Sequence, residues 1–202
     1  MGDRAFLVDI GGVLLMDDLS EIVTAWTPRL HRSEATFLAA LFGESDEGVL
    51  VGQVEETQWW GVVRARLDMA EATLAELRRD LASAGHWSEE LVSYLRDRRG
   101  RTKTAAVANA WPYVRPRLRQ DGLADLFDEL VLSCEVGCAK PDPRIYRLTL
   151  DRLGVAPGDA LFVDDVAENV EAAESIGMQS HLHRDTADTT ERIGRFVDHP
   201  LP

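Results

Sequence analysis

Cysteine is scarce, with two in 202 residues, Cys134 and Cys138 in "SCEVGC". Two thiols cannot build the disulfide framework of a small secreted domain. The neighbouring sequence lacks the further sulfur or histidine ligands that a zinc site needs, so both are read as reduced thiols. Long apolar runs are missing too: nothing approaches the roughly 18 residues of a membrane span. The N-terminal "MGDRAFLVDIGG" has one basic residue and no small-residue cleavage site, so it is not read as a signal peptide. The expectation is a cytoplasmic protein with no membrane partner. Positive charge is in deficit, with 22 Lys and Arg against 35 Asp and Glu and a net charge of −13. That balance argues against nucleic-acid binding, which needs a basic footprint. It also repels anionic substrates, for which a bound metal ion is one remedy.

What is present is ordinary in bulk: 45% hydrophobic and 28% charged residues, in a chain long enough for one core plus a small appended module. Four apolar runs read as strands buried on both faces: "AFLVDI" (5–10), "TAAVANA" (104–110), "ELVLSC" (129–134) and "ALFVDD" (160–165). Helical patterns separate the last three. "DPRIYRLTLDRLGV" has Pro143 in a favoured first-turn position and Gly154 as a stop, and "VAENVEAAESIGM" stops at Gly177. Strands alternating with such helices predict a parallel sheet with helices on both faces. Residues 16–98 differ, being rich in Leu, Ala, Trp, Glu and Arg with little strand signal. Trp59, Trp60 and Trp87 fall in this helical block and are expected mostly in its core. The tail "HRDTADTTERIGRFVDHPLP" reads as a linker and one short helix. His181 and His183 in "SHLH" read as a surface pair pointing the same way.

Ligands of an open parallel sheet bind outside the carboxyl ends of its strands. Asp9 ends the first run, Asn109 the second, and Asp164 and Asp165 the fourth, while Lys140 in "GCAKPDP" follows the third. The rim thus gathers three carboxylates, an amide and an ammonium. A carboxylate ending a buried strand is costly to desolvate without partners, so these groups are expected to face one another.

"LVDIGGVLL", "AVANA", "KPDPRIY" and "FVDDVAENVEAAESIGM" resemble the four motifs of the haloacid dehalogenase-like (HAD) hydrolase superfamily, in the branch with a helical cap inserted after the first motif. The resemblance implies a Rossmann-like α/β core over 1–15 and 99–202 and a small α-helical cap domain over 16–98. It implies a Mg2+-dependent phosphatase or phosphotransferase that acts on a small phosphorylated metabolite through an aspartyl-phosphate intermediate. Asp9 would be the nucleophile and a metal ligand. The Gly11 carbonyl and Asp165 would complete the protein ligands of Mg2+, with Asp164 and Asn169 ordering the ligands and waters around it. Ala108, Asn109 and Lys140 would bind the phosphate, and Lys140 would neutralise the crowded acids.

Two positions depart from the pattern. The family usually carries a second aspartate two residues after the nucleophile, which protonates the leaving group and then activates water; here it is Gly11. Ala108 stands where a Ser or Thr hydroxyl usually contacts phosphate. Three readings follow: an active enzyme with unusual acid/base provision, a catalytically degenerate relative with a binding or regulatory role, and a dehalogenase, against which the "DD…N" metal motif argues. His31, Asp17 and Asp18 are the candidates for a replacement acid/base. Oligomeric state is not legible.

Overall fold

The computed structural model describes residues 4–16, 19–43 and 47–198. Asp17 and Asp18 lie outside the described residues. The chain runs β1 (Ala5–Val8), β2 (Leu15–Met16), α1 (Ser20–Leu30), α2 (Glu34–Phe42), α3 (Glu47–Leu50), α4 (Glu56–Leu67), α5 (Glu71–Ser83), β3 (His86–Trp87) and α6 (Glu89–Arg98). It continues through β4 (Lys103–Ala108), α7 (Val114–Gln120), β5 (Glu129–Leu132), α8 (Ser133–Val136), α9 (Pro143–Leu153), β6 (Ala160–Asp164), α10 (Ala167–Ser175), β7 (Gln179–Leu182) and α11 (Thr186–Asp198).

Five strands form one parallel sheet in the order β5-β4-β1-β6-β7. Side chains alternate between its faces. Phe6, Val8, Ala106 and Val163 pack on one side with Leu91 and Leu95 of α6 and Ile193 and Phe196 of α11. Leu7, Ala105, Val107 and Phe162 pack on the other with Ile145, Tyr146 and Leu150 of α9 and Ala173 of α10. Both faces are covered, which is why the strands read as continuous apolar runs. The chain builds outward from β1 through β4 to β5 and then returns across β1 to add β6 and β7 on its other side, so β1 stands at the switch point where such sheets open a crevice.

Local signals set the helix ends. Asp142 caps α9 by accepting from the Arg144 N–H at 2.9 Å, Pro143 occupies its first turn, and Gly154 closes it at φ 64°. Ser88 caps α6, accepting from the Leu91 N–H.

Helices α1 to α5 build a separate apolar cluster that includes Trp26, Phe37, Trp59, Trp60, Val63, Leu67 and Leu77. The antiparallel ribbon β2/β3 roots it, pairing Leu15 with Trp87 and Met16 with His86. Helix α6, inside the block expected to run to residue 98, packs Leu91, Val92 and Leu95 against the sheet. The tail holds no short helix but the 13-residue α11, whose Ile193 and Phe196 share that cluster with α6. Its apolar residues are few, but helical spacing puts them on one stripe.

Candidate active site

β1 leaves the sheet at Asp9, whose N–H still donates to the Val163 carbonyl at 2.9 Å. The chain then folds back on itself, with the Leu14 and Leu15 N–H groups both donating to the Ile10 carbonyl. Gly12 makes this turn at φ 71°, a conformation disfavoured for any residue with a Cβ. A Cβ there would also sit 2.2 Å from Asp165 Oδ2. The second glycine of the pair therefore serves the turn and clears room for a carboxylate arriving from β6.

Lys140 binds the acids together. Its Nζ lies 2.7 Å from Asp9 Oδ1 and 2.6 Å from Asp164 Oδ2, and all three residues are buried. Asp164 is fully engaged: Oδ1 accepts from the Val166 N–H at 2.8 Å and from Asn169 Nδ2 at 3.0 Å, and Oδ2 accepts from Lys140. Asn169 is held in turn through its carbonyl, which accepts from the Tyr146 hydroxyl at 2.9 Å. Asp9 differs. Its interactions fall on Oδ1, which also accepts the Ile10 N–H at 2.7 Å, and this leaves Oδ2 for chemistry. Burial pushes the Asp9 carboxyl up from 3.8 to about 6; Lys140 opposes this and Asp164 reinforces it.

Asp9, Asp164 and Asp165 each offer a carboxylate oxygen within 4.8 Å of the others. An all-oxygen donor set suits a hard cation such as Mg2+. Asp164 is committed to Lys140 and Asn169, whereas Asp165 is exposed, beside Gly12. Asp9 and Asp165 are thus the two carboxylates with capacity to spare.

Asn109 does something the sequence did not disclose. Its Oδ1 accepts from the Lys140 N–H at 2.7 Å, and its Nδ2 donates to the Lys140 carbonyl at 2.8 Å. The amide clamps the backbone of the lysine, so its backbone N–H is the part left to meet a ligand. Ser133 was missed altogether: fully buried, it accepts from the Ala110 N–H at 2.9 Å and ties the end of β4 to the end of β5. A serine closing an apolar run was the available signal.

Among the described residues, no histidine side chain is bonded to Asp9, Asp164 or Lys140. His31 ends α1 and is exposed. His183 is no surface residue: it is buried, with Nδ1 2.8 Å from the Thr189 hydroxyl. His181 lies 3.5 Å from Asp188. Burial lowers the pKa of both. None of the three lines the cavity that opens beside Gly11.

The model of haloacid dehalogenase-like hydrolases matches residues 4–177. The chain belongs to that family of hydrolases. It is 26% identical over 208 residues to the D-ribitol-5-phosphate phosphatase of Bacteroides thetaiotaomicron, covering 94% of this chain and 96% of that protein. It is 39% identical over 85 residues to the bifunctional epoxide hydrolase 2 of Rattus norvegicus, covering 40% of this chain and 15% of that protein. The chain spans 12–20% of the length of the epoxide hydrolases it matches. A HAD family enzyme of Bacteroides thetaiotaomicron shares the fold, with a TM-score of 0.82 at 18% identity over 96% of this chain and 99% of that one. The structure of such an enzyme from that organism in complex with magnesium and inorganic phosphate superimposes with a TM-score of 0.77, at 19% identity over 93% of this chain and 99% of that one.

Proposed function

We propose that the protein is a Mg2+-dependent phosphatase or phosphotransferase acting on a small phosphorylated molecule through an aspartyl phosphate at Asp9. The observation that carries this reading is the Lys140 bridge between Asp9 and Asp164 at the strand ends. It leaves one oxygen of a buried carboxylate beside Asp165 and Gly12. Asp9, the Gly11 carbonyl and Asp165 would hold the metal. When bound, Mg2+ supplies positive charge at the phosphoryl oxygens and in a field that is otherwise strongly negative.

In this reading Asp9 Oδ2 attacks phosphorus, the bond to the ester oxygen breaks, and the leaving group departs with its electron pair. Water then attacks the phosphorus of the acyl phosphate and restores the carboxylate. Lys140 keeps Asp9 ionised and in line, and Asp164 and Asn169 hold Lys140. The Asn109 clamp fixes the Lys140 backbone, and the N–H groups after β4 face the phosphate. Helices α1 to α5 act as the cap that closes over the rim and restricts entry to small molecules.

Gly11 offers no proton and Ala108 no hydroxyl. These favour a second reading, a protein that binds a phosphorylated ligand without turnover. Phosphate release from acetyl phosphate, with and without Mg2+, separates the two. The proposal expects release that requires Mg2+ and disappears in Asp9→Asn. Mg2+-independent release, or release that survives Asp9→Asn, would refute it.

A further inference from the structure

We propose that the group esterified to phosphate is a small, flat phenol carrying one hydrogen-bond acceptor, seated in the cavity between the Asp9 rim and the helical block. This rests on the phosphatase reading and names its substrate class.

The cavity holds about 200 Å3 and is floored by Gly11, Ala108 and Asn109, beside the nucleophile. Trp59 and Trp60 of α4 and Trp111 from the loop after β4 wall it. Trp59 packs against Trp111 with ring centroids 4.0 Å apart, so the block and the core close on each other here. An apolar cavity of roughly 150 Å3 takes one benzene ring, so this one takes a ring with a substituent.

The polar groups in the walls are nearly all in use. The Asn109 amide is spent on Lys140. Trp60 Nε1 donates to Glu56 at 2.9 Å, and Arg117 donates to the carbonyls of Ala84 and Gly85. A polyol entering this space would lose its hydration at each hydroxyl without replacement. Among the described residues, one buried side-chain donor of the walls is the exception. Trp59 is 3% exposed, lines the cavity, and its Nε1 is buried with no partner. Orphaned buried donors are rare and call for an explanation; an acceptor on the bound molecule supplies it.

Proton supply leads to the same class independently. Among the described residues, no carboxylate or histidine lines the cavity; its ionisable side chains are Tyr113 and Arg117, both weak acids, and Gly11 has no side chain. Leaving oxygens that depart readily as anions are therefore favoured. Phenols ionise near about pH 10 against about 15.7 for water, which alkyl alcohols resemble. In the proposed step the Asp9–phosphorus bond forms, the phosphorus–aryloxide bond breaks, and the electron pair leaves with the phenolate.

The test titrates the intrinsic tryptophan fluorescence of the full chain with 4-hydroxyacetophenone, 4-ethylphenol and ribitol at pH 6.5. The first two have nearly the same shape, but only the first carries the acceptor. Both phenols should bind below 1 mM, roughly the range of a small apolar ligand, while ribitol shows no saturation. Trp59→Phe should weaken 4-hydroxyacetophenone about fivefold, the worth of one neutral hydrogen bond, and leave 4-ethylphenol within about twofold. The parent alone should already prefer the ketone over 4-ethylphenol. Ribitol binding as tightly as the phenols, or no preference for the ketone, would overturn the assignment. Asp9-dependent phosphate release from acetyl phosphate tests the reaction separately: if it fails while the phenols bind, the phosphatase reading falls and the cavity assignment stands.

Discussion

Replacing Asp9 with Asn is expected to stabilise the metal-free protein at neutral pH, although Asp9 is the residue on which the proposed chemistry depends. Burial, with Asp164 nearby, outweighs the attraction of Lys140 and holds the carboxyl at about 6 instead of 3.8. That rise is equivalent to about 3 kcal/mol. The sign follows from which state carries the charge. Above pH 6 the carboxylate is ionised in both states, and the folded state bears the full cost of burying it. Between pH 6 and 3.8 the unfolded chain is ionised and the folded chain increasingly is not, so the cost shrinks as pH falls. Below about pH 3.8 both are protonated and it vanishes. Asn mimics the protonated acid. Urea unfolding in EDTA should therefore show Asp9→Asn ahead by about 3 kcal/mol at pH 8, by about half that near pH 5, and by almost nothing at pH 4. Lys140→Met should do the opposite at pH 8 and lose about 3–5 kcal/mol, because it strands two buried carboxylates without their cation. A less stable Asp9→Asn at pH 8, or a gain that does not change with pH, would refute the charge balance described for this cluster.

Gly12→Ala should cost about 1–2 kcal/mol for its left-handed backbone and displace Asp165, whose Oδ2 lies 2.2 Å from the added methyl. Calorimetry should show Mg2+ binding weakened at least about tenfold, and unchanged affinity would exclude Asp165 from the metal site. Asn109→Ala removes both hydrogen bonds to the Lys140 backbone and should lower stability by about 1–3 kcal/mol in thermal unfolding; a neutral effect would mean the loop holds its shape without the clamp. Gly11→Asp restores a carboxyl where the family usually has one. It should raise kcat/KM about 10²-fold on alkyl phosphates and far less on acetyl phosphate, the gain typical of a positioned general acid. Equal gains on both would mean the proton already comes from another residue.

The core was legible because its strands are buried on both faces. "AFLV", "AAVA" and "ALFVD" have no polar face to blur them, and Gly154 and Pro143 mark the ends of α9 as sequence reasoning expects. The strands stop sooner than the apolar runs because the chain must turn: Ile10 is buried but belongs to the loop made by the Gly11–Gly12 pair. Where helix α6 packs was not legible, because an amphipathic helix looks the same whichever core its apolar stripe meets. Only the packing of Leu91 and Leu95 beside Phe6 decides it. In the site, the residue types at the strand ends were readable, but the division of labour was not. That Asp164 is used up by Lys140 and Asn169 while Asp165 stays exposed depends on side-chain direction at two adjacent positions. The Asn109 clamp depends on a loop 31 residues away in sequence. Spacing carries neither.

The central claim is that Asp9 becomes phosphorylated, and Gly11 makes this directly observable. With no carboxyl there to activate water, the second half of the reaction should be the slow one, so the acyl phosphate accumulates. The measurement is mass spectrometry of protein acid-quenched during turnover of acetyl phosphate with Mg2+. The expected result is one phosphoryl group on the peptide containing Asp9, absent in Asp9→Asn and absent from the parent when Mg2+ is omitted. Phosphate released at the parent's rate by Asp9→Asn, or turnover by the parent with the Asp9 peptide unmodified at every quench time, would contradict the account.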